Sequence, residues 1–145
     1  MERQTTAASS GRQGRVLVVD DVAVVRKSIS LTLTSAGYEV VTAEDGEQAI
    51  KLLGESEDPL AVDAILCDLR MPKINGAEAV AYFRRGYPSV PVVVLTAYPD
   101  VEQAVFLMRQ GVLDFLVKPV LQDELLLVVK RAVEQNAMRK DPVTS

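Results

Sequence analysis

Asp20, Asp21, Asp68, Thr96 and Lys118 are the residues whose types and positions suggest chemistry, because each stands just beyond a short apolar run. Gathering three carboxylates at one locus is costly: two unit charges about 4 Å apart repel by about 4 kcal/mol at an effective dielectric of 20. Lys118 offsets one of the three negative charges, and a divalent cation would balance the two that remain. The chain has no histidine, which excludes Ser-His-Asp triads, imidazole metal sites and phosphohistidine intermediates, so any metal must be held by oxygen. Carboxylate and carbonyl oxygens select hard ions, and a site that retains waters and serves phosphates favours Mg²⁺ over Ca²⁺. A carboxylate is also a nucleophile toward phosphorus. Phosphoryl transfer then needs chiefly positioning and neutralisation of the equatorial oxygens, which Mg²⁺, the Lys118 ammonium and the Thr96 hydroxyl would supply.

The runs that deliver these residues are short and rich in β-branched side chains: Val16–Val19, Tyr38–Val41, Val62–Leu66, Val92–Leu95 and Phe115–Val117. Segments of helical spacing lie between them, marked by Val25, Ile29 and Leu33; Ala49, Ile50 and Leu53; Ala79, Val80 and Phe83; and Val101, Ala104, Val105 and Met108. A fifth carries Leu125, Val129 and Val133. Gly37, Gly54 and Gly111 read as helix stops and Asp100 as a cap. The reading is (βα)₅, which implies a parallel sheet covered on both faces, with the apolar first, third and fourth strands central and the second at an edge. In such sheets ligands bind beyond the carboxyl ends of the strands, which is where the acidic residues, Thr96 and Lys118 fall. In the fourth helix the stripe from Val101 to Met108 is assigned to the core, leaving Phe106 on the exposed side as a candidate partner contact.

A length of 145 residues fits one domain. Apolar residues at 48% and charged residues at 25% exclude a wholly disordered chain. The net charge of −4 argues against direct nucleic-acid binding, which calls for a dominant basic patch. Cys67 is the only cysteine and sits in an apolar run, so it reads as a buried core thiol. Residues 1–14 are polar, lack the apolar stretch of a signal peptide, and read as a loose tail. No window approaches the roughly 20 apolar residues needed to span a bilayer, and the expected location is the cytoplasm.

Val18-Val19-Asp20-Asp21, Cys67-Asp68-Leu69-Arg70-Met71-Pro72, Leu95-Thr96-Ala97 and Lys118-Pro119 together resemble the receiver domains of two-component response regulators. The resemblance runs from about Arg15 to Val133 and is most like receivers of nitrogen-regulation and nitrogen-fixation transcriptional regulators. It implies a flavodoxin-like sheet of order 2-1-3-4-5, with Asp68 as phosphoacceptor. It implies Mg²⁺ held directly by Asp21 and Asp68, by Asp20 through water and by the backbone carbonyl of Arg70. Thr96 and Lys118 would contact the phosphoryl group, Phe115 would be a switch aromatic, and Lys118-Pro119 a cis peptide. Asn75 departs from the acidic residue common before Gly76, a change expected to alter loop contacts.

The implied function is a signalling switch that takes its phosphoryl group from a histidine kinase or histidine phosphotransfer protein. It would catalyse only its own phosphorylation and dephosphorylation. Its output would pass through the fourth helix, fifth strand and fifth helix to a downstream protein or effector domain, and a phosphorylation-dependent dimer is one form that output takes. Residues 15–137 are assigned to the receiver and 138–145 to a C-terminal tail or truncated linker, so the chain is either a stand-alone receiver or part of a longer regulator. Two other readings compete: a phosphohydrolase of the haloacid dehalogenase type, which would need Asp-x-Asp after the first strand, and a receiver-like domain that is never phosphorylated. Arg70 and Tyr98, two residues beyond Asp68 and Thr96, should border the phosphoryl group.

Overall fold

A computed structural model describes residues 13–55, 62–70 and 76–140. Five strands alternate with five helices: β1 (Arg15–Val19), α1 (Ala23–Ser35), β2 (Glu39–Ala43), α2 (Gly46–Glu55) and β3 (Ala64–Asp68). There follow α3 (Gly76–Gly86), β4 (Val92–Thr96), α4 (Val101–Arg109), β5 (Asp114–Val117) and α5 (Gln122–Lys140). The strands form one parallel sheet in the order β2-β1-β3-β4-β5, the expected doubly wound arrangement with the second strand at an edge.

Side chains alternate across each strand, so the sheet feeds two cores. Leu17, Val19, Ile65, Cys67, Val92 and Val94 pack against Ala49 and Leu53 of α2, Val80 and Phe83 of α3 and Leu107 of α4. On the other face Val16, Val18, Leu66, Val93 and Leu95 meet Ile29 and Leu33 of α1 and Leu125, Val128 and Val129 of α5. Nearly continuous apolar strands are required because both faces are dry. Cys67 is fully buried, as expected, and burial pushes its thiol well above the usual range.

Several local readings are corrected. The Val101, Ala104, Val105 and Met108 stripe does not face the core: Val101, Val105 and Met108 are exposed, and Leu107 is the buried anchor of α4. This helix is apolar around most of its circumference, so a 3.6-residue template fits more than one stripe, and the seat Leu107 finds among Phe83, Val94 and Val112 decides the rotation. Phe106 is exposed, as expected. Gly54 lies inside the last turn of α2 rather than beyond it, with open space where a Cβ would stand. β2 and β3 each run two residues further toward their carboxyl ends than the apolar runs suggested, because pairing with β1 extends to Ala43 and Cys67.

Gly37 and Gly111 follow α1 and α4 with φ of +100° and +97°, the left-handed conformation that ends helices. Asp100 caps α4 by accepting the N–H groups of Glu102 and Gln103. α5 continues to Lys140, through residues assigned from sequence to the C-terminal segment. Residues 1–12 of the expected tail, and Asn75 with its loop, lie outside the described residues.

Candidate functional site

The site follows from the register of the sheet. Val19 pairs with Cys67, Asp68 with Leu95, and Thr96 with Val117, so the residues that leave β1, β3, β4 and β5 emerge along one edge. The ladder runs on into the turns: Asp20 N–H donates to the Ala43 carbonyl at 3.1 Å, Leu69 N–H to Leu95 at 3.1 Å, and Lys118 N–H to Thr96 at 2.8 Å. Parallel pairing thus carries four distant segments to one place without help from side chains.

Asp20, Asp21 and Asp68 present carboxylate oxygens within 4.8 Å of one another. Asp20 is fully buried; its Oδ1 accepts the Val22 N–H at 2.9 Å and its Oδ2 lies 2.7 Å from Lys118 Nζ. Asp68 is nearly as buried; its Oδ1 accepts the Arg70 N–H at 3.1 Å, and its Oδ2 is 3.3 Å from the same ammonium. Asp21 is exposed at the rim. Burial raises the Asp68 pKa above the ordinary carboxylate range and the charge of Asp20 adds to it, against the lowering effects of the Arg70 N–H and Lys118. For Lys118 burial favours the neutral amine, but the hydrogen bond and charge of Asp20, then those of Asp68, outweigh it and hold the ammonium charged.

This donor set fits a hard divalent cation. Every candidate ligand in the cluster is a carboxylate oxygen, and one ammonium cannot neutralise three such groups. The Cys67 Sγ, though adjacent in sequence, packs in the α2-α3-α4 core and donates to the Asp68 carbonyl at 3.6 Å.

Thr96 ends β4 in a buried position, and its Oγ1 accepts the Tyr98 N–H at 3.0 Å. Phe115 is half-buried at the margin of the α2-α3-α4 core, three residues before Lys118, and does not join the acidic cluster. The Lys118-Pro119 bond is cis, as the resemblance implied. Arg70 lays its guanidinium over the Tyr98 ring at 4.4 Å from the centroid, so the two rim residues touch each other. Gly76 opens α3 directly beneath Asp68: a Cβ there would stand 2.5 Å from the Asp68 carbonyl and 2.3 Å from Leu69 Cα, so only glycine lets the helix approach this closely.

Sequence reading missed Arg26. Its Nη1 donates to the Asp20 carbonyl at 2.6 Å, joining α1 to the acidic turn. A basic residue one helical turn past the acid pair was the available signal. It also missed Asp45, which caps α2 by accepting the Gln48 N–H at 2.8 Å. No helix among the described residues is long and apolar enough to cross a membrane.

Comparison with known proteins agrees with this geometry. The family model of the response regulator receiver domain matches residues 16–130. The transcriptional regulatory protein GlrR of Escherichia coli K12 is 38% identical over 132 residues, covering 91% of this chain and 29% of the relative. The DNA-binding transcriptional regulator NtrC of the same organism is 33% identical over 131 residues, covering 90% of this chain and 27% of that protein. Among solved structures, NtrX of Brucella abortus superimposes with a TM-score of 0.80 at 27% identity, covering 89% of this chain and 29% of NtrX. The chain therefore spans less than a third of the length of these relatives. With a matching family model across most of its length and the acidic cluster at the expected sheet edge, the chain belongs to the response regulator receiver domains.

Proposed function

We propose that this chain is a phosphorylation-operated switch in the cytoplasm, in which Asp68 takes a phosphoryl group from a histidine kinase or histidine phosphotransfer protein. The observation that carries the reading is the convergence of Asp20, Asp21, Asp68 and Lys118 on one sheet edge, an arrangement that costs stability unless a cation and a phosphoryl group use it. Asp21, Asp68 and the Arg70 carbonyl would hold Mg²⁺, with Asp20, fully buried and the closer partner of Lys118 at 2.7 Å against 3.3 Å for Asp68, acting through water. When bound, the cation neutralises phosphoryl oxygens. The ionised Asp68 carboxylate forms its bond to phosphorus as the bond from phosphorus to the donor nitrogen breaks, and the departing electron pair stays with the imidazole. Lys118, already 3.3 Å from Asp68, is placed to pair with a phosphoryl oxygen. The chain acts on its own side chain and turns over no free metabolite.

Switching begins at Thr96. Its hydroxyl accepts the Tyr98 N–H, and turning to donate to a phosphoryl oxygen would draw the β4–α4 connection inward and open room for Phe115. The affected surface is α4-β5-α5, where Val101, Val105, Phe106, Met108 and Val117 are exposed. Such apolar exposure suits a downstream protein, a fused effector domain or a second receiver. Amide exchange before and after phosphorylation is the test: protection should change along α4, β5 and α5. A change confined to β2 and α2 would refute the output assignment.

The Arg70–Tyr98 stack bridges the loops after β3 and β4, and in this reading it would lie across the approach of a water attacking the phosphorus in line. Neither side chain is a base that would orient that water, so the pair acts as an obstruction. Replacing both residues with alanine should speed dephosphorylation about tenfold, a change of about 1.4 kcal/mol in the barrier, with Mg²⁺ affinity nearly intact. A decay equal to or slower than the parent's, followed by phosphoprotein assay, would refute the obstruction.

A further inference from the structure

We propose that Arg26 is a positioning residue for the cation site: by fastening the Asp20 carbonyl it fixes the peptide that joins the two acidic residues, and so aims Asp21. The inference rests on the Mg²⁺ site proposed above and adds to it a residue outside the acidic cluster.

Arg26 Nη1 donates to the Asp20 carbonyl at 2.6 Å, a short charge-assisted hydrogen bond. That carbonyl belongs to the Asp20–Asp21 peptide, and because a peptide unit is planar, holding its oxygen also sets the direction of the Asp21 N–H and Cα. The turn has backbone anchors at the residues flanking Asp21, to which the Arg26 side chain adds a hold on the Asp20–Asp21 peptide itself. Asp20 N–H donates to Ala43 and Asp20 Oδ1 accepts the Val22 N–H, whereas Val22, the N-cap of α1, makes no side-chain cap. Asp21 itself is exposed, so its backbone, rather than packing, must hold its carboxylate toward Asp68. Arg26 is well placed for this: its own N–H donates to the Val22 carbonyl at 2.9 Å and its carbonyl accepts the Ser30 hydroxyl at 2.8 Å, which secures the arm on the first turn of α1.

Two consequences of the guanidinium oppose each other, and their signs separate positioning from mere charge. A cation near the carboxylates repels Mg²⁺, so if charge were all, removing it would tighten metal binding. If positioning dominates, removal lets the Asp20–Asp21 peptide rotate, and the cation loses a pre-set ligand. Helix α1 itself is held by Ile29 and Leu33 in the core, which leaves Arg26 free to be changed without emptying a packed site.

The experiment is calorimetric titration of Mg²⁺ into the full chain and into Arg26→Met and Arg26→Lys, with amide spectra to verify the fold. Arg26→Met should bind Mg²⁺ about tenfold more weakly, and Arg26→Lys, which retains a charged donor, should recover most of the loss. The amides of Asp21 and Val22 should shift in the methionine variant without metal. Mg²⁺ binding by Arg26→Met that equals or exceeds the parent's overturns the proposal. Should Arg26→Met not fold, Arg26→Gln takes its place under the same two outcomes. A parent chain that binds no Mg²⁺ fails the cation site itself, whereas a parent that binds and a variant that binds equally well fails only the role of Arg26.

Discussion

Incubated with acetyl phosphate and Mg²⁺, the native chain should gain one phosphoryl group and the Asp68→Asn protein none, a difference that intact mass resolves at once. Among the clustered carboxylates, Asp68 is the one suited to attack. Asp20 is fully buried, with one oxygen on the Val22 N–H and the other 2.7 Å from Lys118, and Asp21 lies at the exposed rim. Asp68 ends a buried strand, is oriented by the Arg70 N–H, and has an ammonium 3.3 Å away where phosphoryl charge would develop. Its raised pKa makes the ionised form a better nucleophile and sets the pH response. Because proton and cation compete for the same oxygens, Mg²⁺ affinity should fall as the pH drops through this raised pKa, beginning above the ordinary carboxylate range. A full-strength adduct on Asp68→Asn would show that another side chain is the acceptor.

Replacing Lys118 by methionine should destabilise the metal-free chain by about 3–5 kcal/mol, the usual cost of stripping one partner from a buried ion pair. The Lys118 side chain is 15% exposed and that of Asp20 is 0% exposed, so water cannot take over the pairing on the Asp20 side. Asp68 would also lose a counter-charge while remaining in a site that already disfavours its ionised form. Two rescues follow. Asp20→Asn in the Lys118→Met background should recover most of the loss, because it removes the uncompensated charge. Mg²⁺ should also raise the melting temperature of Lys118→Met, by linkage to the folded state. Urea denaturation of the four members of the cycle supplies the numbers. A cost below about 1 kcal/mol for Lys118→Met, or an equal cost with and without Asp20, would mean that the pair is dispensable to the fold.

The central and edge places of the strands, the two-sided core and the identity of the residues at the carboxyl edge were legible from sequence for a physical reason, whereas the full order of the sheet came from the family resemblance. A strand buried on both faces must be a short, nearly continuous apolar run, and in a parallel sheet the residue that ends each run is delivered to the same edge. Asp20, Asp68, Thr96 and Lys118 therefore came together without any knowledge of packing. The stops at Gly37 and Gly111 and the cap at Asp100 were readable because each is a local backbone requirement. What the sequence left open depended on partners far along the chain. The face α4 turns inward was ambiguous until Leu107 met Phe83, Val94 and Val112. The bond from Asn136 Nδ2 to Asp63 Oδ1 at 2.9 Å joins residues 73 apart and ties α5 to the residue just before the central strand β3. Arg70 could be placed at the rim from its spacing, but that it stacks on Tyr98 depends on where two loops end, and the same holds for Arg26 reaching back to the Asp20 carbonyl. Even the charge state of the site was decided in three dimensions, since the rise of the Asp68 pKa comes first from burial, which only the packed fold around β3 provides.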